Sequence, residues 1–309
     1  MASPIRVLLD CDPGHDDALA MLVASAMSEI DLRGITTVAG NHALDRITDN
    51  ALRVCALGHM RGVPVAAGAS RPLVGDAHPA ESIHGESGLD GAELPPPIGS
   101  VDPRSALELM ADVARAGRFT LVATGPLTNV ARALPLAGDQ LDRIVLMGGA
   151  TGLGNWTPTA EFNIWCDPEA ADAVFSSGVP IEMIGLEVTH QALATEDVRE
   201  RIRTLGPLGH TVDGLLGFFA DAYRDVFGFA APPVHDVVAI VRLVRPDLVP
   251  AAARFVAIET EGRYTRGTTV VDVHGRLGRE PNALVATGID VAAFWDVVIG
   301  ALERVADRI

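Results

Sequence analysis

Short apolar runs that end in glycine or polar residues alternate with helix-like segments along most of this chain. The apolar runs lie at residues 5–9, 32–41, 63–68, 119–125, 144–149 and 181–188. Between them, apolar residues recur at helical spacing, as in segments 47–55 and 104–116. This repeated strand-then-helix alternation predicts an α/β fold, a mostly parallel open sheet flanked by helices on both faces. In such sheets, ligands bind outside the carboxyl ends of the strands.

The remaining segments predict long loops and a helical second half. Segments 70–100 and 152–166 are predicted as loops, and the first of them is long enough to suggest a functional role. Further predicted elements are helices from 196 to 244 with a break near 229–234, strands at 255–259, 268–273 and 283–287, and a closing helix at 290–306. We find no domain boundary and no internal repeat, so we expect one domain spanning residues 1–309.

The composition is that of a globular protein with a large core, since 48% of the 309 residues are hydrophobic and 21% are charged. A formal net charge of −16 without a basic patch argues against a nucleic-acid partner. The three cysteines show no metal-ligand spacing, so we expect reduced thiols. A strand begins almost at once and no apolar run is long enough to cross a bilayer, so we expect a cytoplasmic protein without a membrane partner.

Four carboxylates are concentrated where the first apolar run meets the first helical segment. Asp10 and Asp12 follow the run, a Pro-Gly turn intervenes, and Asp16 and Asp17 open the helix. Such a cluster repels itself unless a cation, a proton or the helix N-terminus neutralises it. Hard carboxylate oxygens at this density suit Ca²⁺ or Mg²⁺ better than zinc or iron.

A simple helix start explains only half of this cluster. Negative charge in a first helical turn stabilises by about 0.3–1 kcal/mol per residue, which accounts for Asp16 and Asp17. It does not account for Asp10 and Asp12, because a strand end has no comparable dipole. We therefore favour a metal or catalytic site at this turn.

Three histidines are weaker candidates when each is taken alone. His235 and Asp236 open a predicted helix, where Asp236 as an N-cap beside an incidental histidine is an equally good interpretation. His84 lies in a glycine-rich segment and has a modest claim as a ligand or catalytic group. His15 lies within the acidic turn and receives no role, since its side chain is free to point outward.

The acidic turn resembles the N-terminal signature of the nucleoside hydrolases, the calcium-dependent N-ribohydrolases of inosine, uridine and related nucleosides. The sequence Asp-Cys-Asp-Pro-Gly-His-Asp-Asp-Ala at 10–18 carries the match. Further matching blocks follow in family order at residues 39–41, 83–88, 124–129, 145–149, 154–155, 160–163, 167–171 and 234–236. Because these blocks span nearly the whole chain, the resemblance implies a Rossmann-like nucleoside hydrolase domain with its site at the C-terminal ends of the strands.

The resemblance also implies roles for individual residues. Ca²⁺ is the implied cofactor, and its implied ligands are Asp12, Asp17, Asp236 and the backbone carbonyl of Thr124. Asp12 would also be the general base for a calcium-bound water, and His235 would protonate the leaving base. Asp10 would position the turn.

Further residues resemble those that bind the nucleoside. The ribose 2′- and 3′-hydroxyls would be held by Asp16, Asn163 and Asp236, and the 5′-hydroxyl by Asn155 and Glu161. His84 matches a second histidine near the base, while Asn41 and Met147 would line the pocket.

These residue types suit hydrolysis of a C–N glycosidic bond, which passes through an oxocarbenium-like sugar. A metal lowers the pKa of a bound water, a carboxylate completes its deprotonation, and a histidine can protonate the departing base. Surrounding carboxylates complement the positive charge that develops on the ribose. Direct attack by water implies inversion at the anomeric carbon.

Two other functions compete with this one. Asp10-Cys11-Asp12 after a strand is also the Asp-x-Asp pattern of haloacid-dehalogenase-like, Mg²⁺-dependent phosphatases. In those enzymes a small or β-branched residue follows, whereas Pro13 and Gly14 follow here, and no lysine lies at a later strand end to hold a phosphate. A catalytically silent nucleoside- or calcium-binding protein is the third candidate.

The preferred base is the least determined feature of the predicted site. Trp156 is placed to stack on a base, but a surface position is equally compatible with its loop. Phe219, Tyr223 and Phe227 recur every four residues, which is more typical of a core stripe than of a stacking platform. Tyr223 and Phe227 nevertheless match positions near the base in the family, and we expect uridine, cytidine and inosine as substrates. The resemblance also implies a homo-oligomer, dimer or tetramer, that acts in purine or pyrimidine salvage and nucleoside catabolism.

Overall fold

Strands and helices alternate in the computed structural model, which describes residues 3–78 and 80–309. The strands are β1 (Ile5–Cys11), β2 (Ile30–Thr37), β3 (Val65–Ala67), β4 (Phe119–Ala123), β5 (Leu141–Met147), β6 (Ile181–Ile184), β7 (Ala251–Arg254), β8 (Val256–Ile258), β9 (Thr269–Val271) and β10 (Ala283–Ala286). The helices are α1 (His15–Ala26), α2 (Leu44–Leu57), α3 (Glu81–His84), α4 (Ala106–Arg115), α5 (Thr128–Ala137), α6 (Phe162–Cys166), α7 (Pro168–Phe175), α8 (Leu186–Thr189), α9 (Glu196–Arg203), α10 (Gly206–Phe227), α11 (His235–Val244) and α12 (Val291–Ala306).

Eight strands form one central sheet in the order β3-β2-β1-β4-β5-β6-β10-β7. All neighbouring pairs are parallel except β10 and β7, which run antiparallel at one edge. The chain moves outward from β1 to β3, then returns to the other side of β1 with β4. A crevice opens at this reversal, beyond the carboxyl ends of β1 and β4. The predicted mostly parallel sheet is confirmed.

The first strand shows why both faces of the sheet are covered. Val7 and Leu9 pack into one apolar core, while Leu8, on the opposite face, packs into the other. Both cores need helices, because a parallel strand that is buried on both faces cannot face water. The first core contains α1, α11 and α12, and the second contains α4, α5 and α7.

Helix α1 lies inside the molecule, with eleven of its twelve residues buried. It packs against α11 and α12. Its apolar residues after Ala18 hold it in the core, so the acidic residues of its first turn are carried inward with it. The sequence of α1 therefore forces charged groups into a buried position at the end of β1.

Most predicted elements after residue 190 are confirmed. Helices α9, α10 and α11 cover the predicted helical region with the predicted interruption. The strands predicted at 255–259 and 268–273 are β8 and β9, which pair as a separate two-stranded antiparallel sheet. The predicted strand at 283–287 is β10, which joins the central sheet. Strand β7 was not predicted.

Two predictions of secondary structure were wrong in part. The segment 152–166 is not all loop, because α6 begins at Phe162 once the carboxylate of Glu161 caps its backbone N–H groups. The strand predicted over 181–188 ends at Ile184, where Gly185 leads into α8. The predicted loop 70–100 contains only the short helix α3 among its described residues, and residue 79 lies outside them.

No helix in the described part of the chain combines the length and apolar character needed to cross a membrane.

Candidate functional site

Three buried carboxylates converge at the crevice. Asp16 and Asp17 lie in the first turn of α1, and Asp236 lies in the first turn of α11. One carboxylate oxygen from each residue lies within 4.8 Å of the others. The positive ends of two helix dipoles meet here, which offsets only part of three negative charges. The alternative interpretation of Asp236 as an N-cap is wrong, since Val234 is the N-cap residue of α11.

Asp12 lies beside this group, at the turn after β1, and is fully buried. Its Oδ2 accepts a hydrogen bond from the backbone N–H of Asn41 at 2.7 Å. Its Oδ1 has no hydrogen-bond partner among the described residues. A Cβ atom at Gly125 would lie 2.5 Å from Oδ1, so the glycine keeps the space beside this oxygen open. A buried carboxylate oxygen without a partner needs a cation, a proton or water.

Asp17 is held by neighbours from three parts of the chain. Thr124 Oγ1 donates to its Oδ1 at 2.7 Å, and Gly14 N–H donates to its Oδ2 at 3.2 Å. Asn41 Nδ2 donates to the same Oδ2 at 3.3 Å and to the carbonyl of Asp12 at 3.0 Å. These bonds fix the carboxylate in one orientation against the strand end.

Asp10 lies on the same face of β1 as Leu8, and its side chain contacts neighbouring strands and helices. Its Oδ1 accepts hydrogen bonds from Thr36 Oγ1 at 2.5 Å and from Asn129 Nδ2 at 2.8 Å. These partners lie on β2 and α5. Asp10 therefore ties the turn to its neighbours, and it does not line the crevice.

Burial raises the pKa of each carboxyl group in the crevice. The pKa of Asp16 rises to about 7, because of burial and then the charge of Asp17. Burial raises the pKa of Asp17 to about 6. Burial, followed by neighbouring carboxylates, raises the pKa of Asp12 and Asp236 well above the usual range. The fold therefore disfavours four ionised carboxylates in this place unless positive charge is supplied.

The chemistry of the four carboxylates fits a hard divalent cation. Within the described residues, no arginine pairs with Asp12, Asp16, Asp17 or Asp236, and the chain contains no lysine. The oxygen-rich group and the unpartnered Oδ1 of Asp12 leave a cation as the group that best balances them. The set favours Ca²⁺ or Mg²⁺ over metals that prefer nitrogen or sulfur ligands.

We expect Asp16→Asn to stabilise the metal-free protein increasingly as pH rises. A carboxyl whose pKa is raised from about 4 to about 7 on folding binds more protons in the folded state, so its contribution to stability is lost between those pH values. Asp16→Asn does not lose this stability, because its side-chain amide does not ionise. Thermal unfolding of both metal-free proteins near pH 5 and near pH 8 measures it, and a difference in Tm that shrinks toward pH 8 would contradict the electrostatic account.

An open cavity of about 510 Å³, a volume that includes the solvent at its mouth, lies above the carboxylates. Concave sites that combine apolar walls with a few fixed polar groups are typical of small-molecule binding. Every predicted site residue except Asp12 and Asp17 lines it: Asp16, Asn41, His84, Thr124, Met147, Asn155, Trp156, Glu161, Asn163, Tyr223, Phe227, His235 and Asp236. Asp12 and Asp17 lie beneath its surface and are joined to it through Asn41 and Thr124.

Helix α6 brings a set of polar side chains to the cavity. Glu161 is buried, and its carboxylate accepts from the N–H groups of Asn163 at 2.8 Å, Ile164 at 3.1 Å and Gly149 at 2.8 Å. Asn163 Nδ2 donates to the Thr124 carbonyl at 2.8 Å. These bonds leave fixed oxygen atoms at the cavity wall, which can accept hydrogen bonds from a ligand.

Aromatic side chains form the opposite wall. Phe219 and Tyr223 are buried and contact each other edge to face, with their ring centroids 4.7 Å apart. The ring centroids of Phe227 and Tyr223 lie 5.0 Å apart. All three line the cavity, so the predicted core stripe is both core and ligand wall. Trp156 is half-buried, contacts the ring of Phe162 at 4.9 Å and faces the cavity, which corrects its alternative placement on the surface.

His235 is buried at the start of α11 between two hydroxyl groups. Its Nε2 lies 2.8 Å from the Tyr223 hydroxyl, and its Nδ1 lies 2.7 Å from Thr189 Oγ1. Burial lowers the pKa of His235 well below its usual value. The imidazole is therefore neutral until negative charge develops near it.

His15, to which the sequence assigned no role, points inward. It is 1% exposed, its ring stacks on Phe218 and Phe219, and its Nδ1 lies 3.1 Å from Nδ1 of His84. Burial lowers its pKa to about 4. The sequence left this orientation open because the aromatic neighbours of His15 lie about two hundred residues away.

Sequence reasoning missed several cavity residues and one supporting contact. Ala80, Ile83 and Phe162 also line the cavity, and Thr189 supports His235. Ile83 precedes His84 in the glycine-rich segment, and Phe162 lies between Glu161 and Asn163, so the matching blocks already marked their neighbourhoods. Nothing in the sequence around Thr189 pointed to its contact.

Comparison with known proteins identifies the family. The family described as inosine-uridine preferring nucleoside hydrolase matches residues 7–296. The pyrimidine-specific ribonucleoside hydrolases RihA of Escherichia coli K12 and Escherichia fergusonii are each 46% identical over 310 residues, covering 98% of this chain and 99% of their own. The structure of a purine-preferring ribonucleoside hydrolase from Gardnerella vaginalis is 33% identical, covers 98% of this chain and 100% of its own, and superposes with a TM-score of 0.92.

These matches extend over the whole sheet, the buried carboxylates and the cavity. The chain therefore belongs to the inosine-uridine preferring nucleoside hydrolase family and is a ribonucleoside hydrolase.

Proposed function

We propose that this protein hydrolyses the N-glycosidic bond of pyrimidine ribonucleosides, uridine and cytidine, to the free base and ribose, and accepts inosine more slowly. The observation that carries the proposal is one cavity with buried carboxylates at its floor and aromatic rings at its wall. The floor suits a polar sugar and the wall suits a flat base. We propose that residues 1–309 form one catalytic domain.

The preference for pyrimidines is supported by the relatives. The RihA enzymes are named pyrimidine-specific and are 46% identical to this chain, whereas the Gardnerella vaginalis enzyme is named purine-preferring and is 33% identical. An Asp-x-Asp phosphatase is not favoured, because the chain contains no lysine to hold a phosphate.

The family is metal-dependent, and the acidic cluster provides suitable ligands. We propose Ca²⁺, held by Asp12, Asp17, Asp236 and the carbonyl of Thr124. A bound divalent cation lowers the pKa of a water molecule and orients the ribose diol. Asp16 lies close enough to its neighbours in the cluster to be a further ligand or to bind a ribose hydroxyl.

Asp12 is suited to the role of general base. Asn41 N–H holds its Oδ2, so its free Oδ1 can accept a proton from the attacking water. Water that attacks directly from this side inverts the configuration at the anomeric carbon. Gly125 places no side chain against Oδ1, where a Cβ would lie only 2.5 Å away.

The fixed oxygen atoms at the cavity wall are proposed to bind the ribose. Asp16, Asn163 and Asp236 are assigned to the 2′- and 3′-hydroxyls, and Asn155 and Glu161 to the 5′-hydroxyl. Glu161 accepts three backbone hydrogen bonds, which fixes its carboxylate before a ligand arrives. Fixed negative charge around the ring stabilises the positive charge of the oxocarbenium-like transition state.

His235 is the proposed acid for the leaving base. The Tyr223 hydroxyl lies 2.8 Å from its Nε2, and both side chains line the cavity, so they form one hydrogen-bonded unit. Burial lowers the pKa of His235 and so disfavours the protonated imidazole, whereas negative charge on the departing base favours it. The proton can then pass to the base from this unit.

A substrate panel tests the proposed function. We expect purified, calcium-loaded protein to release base and ribose from uridine and cytidine with higher kcat/KM than from inosine or guanosine, and to leave p-nitrophenyl phosphate intact. Chromatography of the products measures both. Faster hydrolysis of guanosine than of uridine would overturn the pyrimidine assignment, and phosphate release would favour the phosphatase instead.

We expect 2′-deoxyuridine to react about 5- to 140-fold more slowly than uridine. Losing the 2′-hydroxyl leaves a buried polar group without its partner, which costs about 1–3 kcal/mol, and each 1.4 kcal/mol is about tenfold. Steady-state kcat/KM for the two nucleosides, which share the same leaving base, isolates the sugar contact. Equal values would show that Asp16 and Asn163 do not bind the ribose hydroxyls.

The implied assembly and biological role complete the proposal. We propose a homo-oligomer, dimer or tetramer, that acts in the cytoplasm in nucleoside salvage or catabolism, as the family resemblance implies. Light scattering coupled to gel filtration gives the number of copies directly.

A further inference from the structure

His15 and His84 form a buried pair that the proposed mechanism does not use. Their Nδ1 atoms lie 3.1 Å apart, and their rings stack with centroids 5.3 Å apart. The other nitrogen of His15, Nε2, lies 2.8 Å from the backbone carbonyl oxygen of Asp90. His84 lines the cavity, and with its Nδ1 engaged by His15, its Nε2 is the nitrogen left for a ligand.

The loop after His84 is built to present the Asp90 carbonyl. The carboxylate of Asp90 accepts hydrogen bonds from Ser87 Oγ at 2.5 Å and from the N–H of Glu86 at 3.0 Å, which closes the loop on itself. Gly91 follows with a φ of +107°, and a Cβ there would lie 2.6 Å from Cβ of Phe218. This close approach fixes the carbonyl against His15.

The carbonyl determines which nitrogens carry protons. A carbonyl oxygen only accepts hydrogen bonds, so Nε2 of His15 must carry a proton. In a neutral imidazole, Nδ1 of His15 is then an acceptor. The short contact between the two Nδ1 atoms needs one proton, which His84 must supply. His84 therefore carries its proton on Nδ1, and its Nε2 has a free lone pair.

The surroundings of His15 favour the neutral ring that this chain of bonds requires. The ring is 1% exposed and lies against Phe218 and Phe219 at centroid distances of 5.4 and 5.1 Å. Its two nitrogens contact a carbonyl and an imidazole, and neither contacts a carboxylate. An imidazolium in this place would lose its hydration, and the nearby Asp90 carboxylate is already engaged by Ser87 Oγ and by the N–H of Glu86.

We propose that His15 is a positioning residue that fixes His84 as a hydrogen-bond acceptor for an N–H group of the pyrimidine base, the imide of uracil or the amine of cytosine. The ligand in this proposal rests on the proposed function, whereas the direction of the bonds does not. With its lone pair toward the cavity, His84 cannot donate the proton that the departing base needs. His84 is therefore not the acid that protonates the leaving base.

Nitrogen NMR of the calcium-loaded, histidine-labelled protein tests the bond direction without a destabilising variant. We expect the His84 Nδ1 shift to be that of a protonated nitrogen and the His84 Nε2 shift to be that of an unprotonated one, with the reverse at His15. The signals of His84 are assigned by their loss in His84→Gln. A protonated Nε2 on His84 would overturn the proposal.

Two substitutions of His15 separate positioning from packing. His15→Phe keeps the ring and its stacking but removes both nitrogens, whereas His15→Asn keeps an acceptor oxygen at the place of Nδ1. We expect His15→Phe to raise KM for uridine about 2- to 10-fold, the equivalent of one hydrogen bond, with little change in kcat. His15→Asn should recover most of this loss and keep the proton on Nδ1 of His84. Equal KM values in the two variants would contradict the positioning role.

A separate experiment tests the contact between His84 and the base. Methylation of uridine at N3 removes the imide proton, and the resulting loss in kcat/KM should shrink in His84→Ala. An unchanged loss would overturn the assigned ligand. If the NMR shifts agree but no nucleoside is hydrolysed, the bond direction stands and the proposed function fails. If uridine is hydrolysed normally but His84 Nε2 is protonated, the proposed function stands and the bond direction is wrong.

Discussion

Asp17→Asn is expected to lower kcat/KM for uridine by at least about 10³-fold, because metal catalysis supplies several kcal/mol and each 1.36 kcal/mol is about tenfold. Asp17 sits among hydrogen-bond donors from Gly14, Asn41 and Thr124, so it serves as an acceptor on both oxygens. An amide there presents an N–H₂ group to those donors and removes one charge from the cluster. Both changes weaken cation binding.

The same variant has a second readout in thermal unfolding. Excess Ca²⁺ should stabilise the wild-type protein by about 2.7 kcal/mol at a hundredfold excess over its Kd, and should stabilise Asp17→Asn far less. Asp225→Asn is the matched control, because it makes the same chemical change at an exposed position on α10. If Asp17→Asn keeps the calcium-induced rise in Tm, this carboxylate is not a ligand.

His235→Ala is expected to slow uridine hydrolysis about 10²- to 10⁴-fold, the usual contribution of a general acid. Uracil is a poor leaving group that needs a proton, whereas p-nitrophenolate leaves as a stable anion. The loss of kcat on p-nitrophenyl riboside should therefore be much smaller. Tyr223→Phe, which removes the hydroxyl 2.8 Å from Nε2, should show the same selectivity to a lesser degree.

His190→Ala is the control for His235→Ala. The His190 ring contacts the His235 ring edge-on at 5.5 Å but is not part of the cavity lining. We expect this substitution to affect the two substrates equally. An equal loss on both substrates in His235→Ala as well would make His235 a structural or ribose-binding residue.

The fold could be predicted where local pattern and burial agree. The strand β1 is apolar on both faces and is followed by a Pro-Gly turn, so its end and the start of α1 were predictable. The prediction failed where pairing between distant strands overrides the local sequence preference. β7 has the sequence Ala-Ala-Ala-Arg, which favours a helix, and it is a strand because it pairs with β10 at the sheet edge.

The candidate site could be predicted mainly from residues that share a strand end or a first helical turn. Asp12, Asp16 and Asp17 are close in sequence, so one turn gathers them whatever the rest of the chain does. Contacts between distant segments carry no such signal. His15 meets Phe218, and His235 meets Thr189, only because α1, α8, α10 and α11 pack around one crevice.

The most direct test of the account is uridine hydrolysis by one preparation before chelation, after exhaustive chelation, and after Ca²⁺ is added back, with metal analysis at each stage. The buried carboxylates and the unpartnered Oδ1 of Asp12 predict that activity disappears with the metal and returns with calcium. Full activity in protein that metal analysis shows to be free of divalent cations would contradict the central claim.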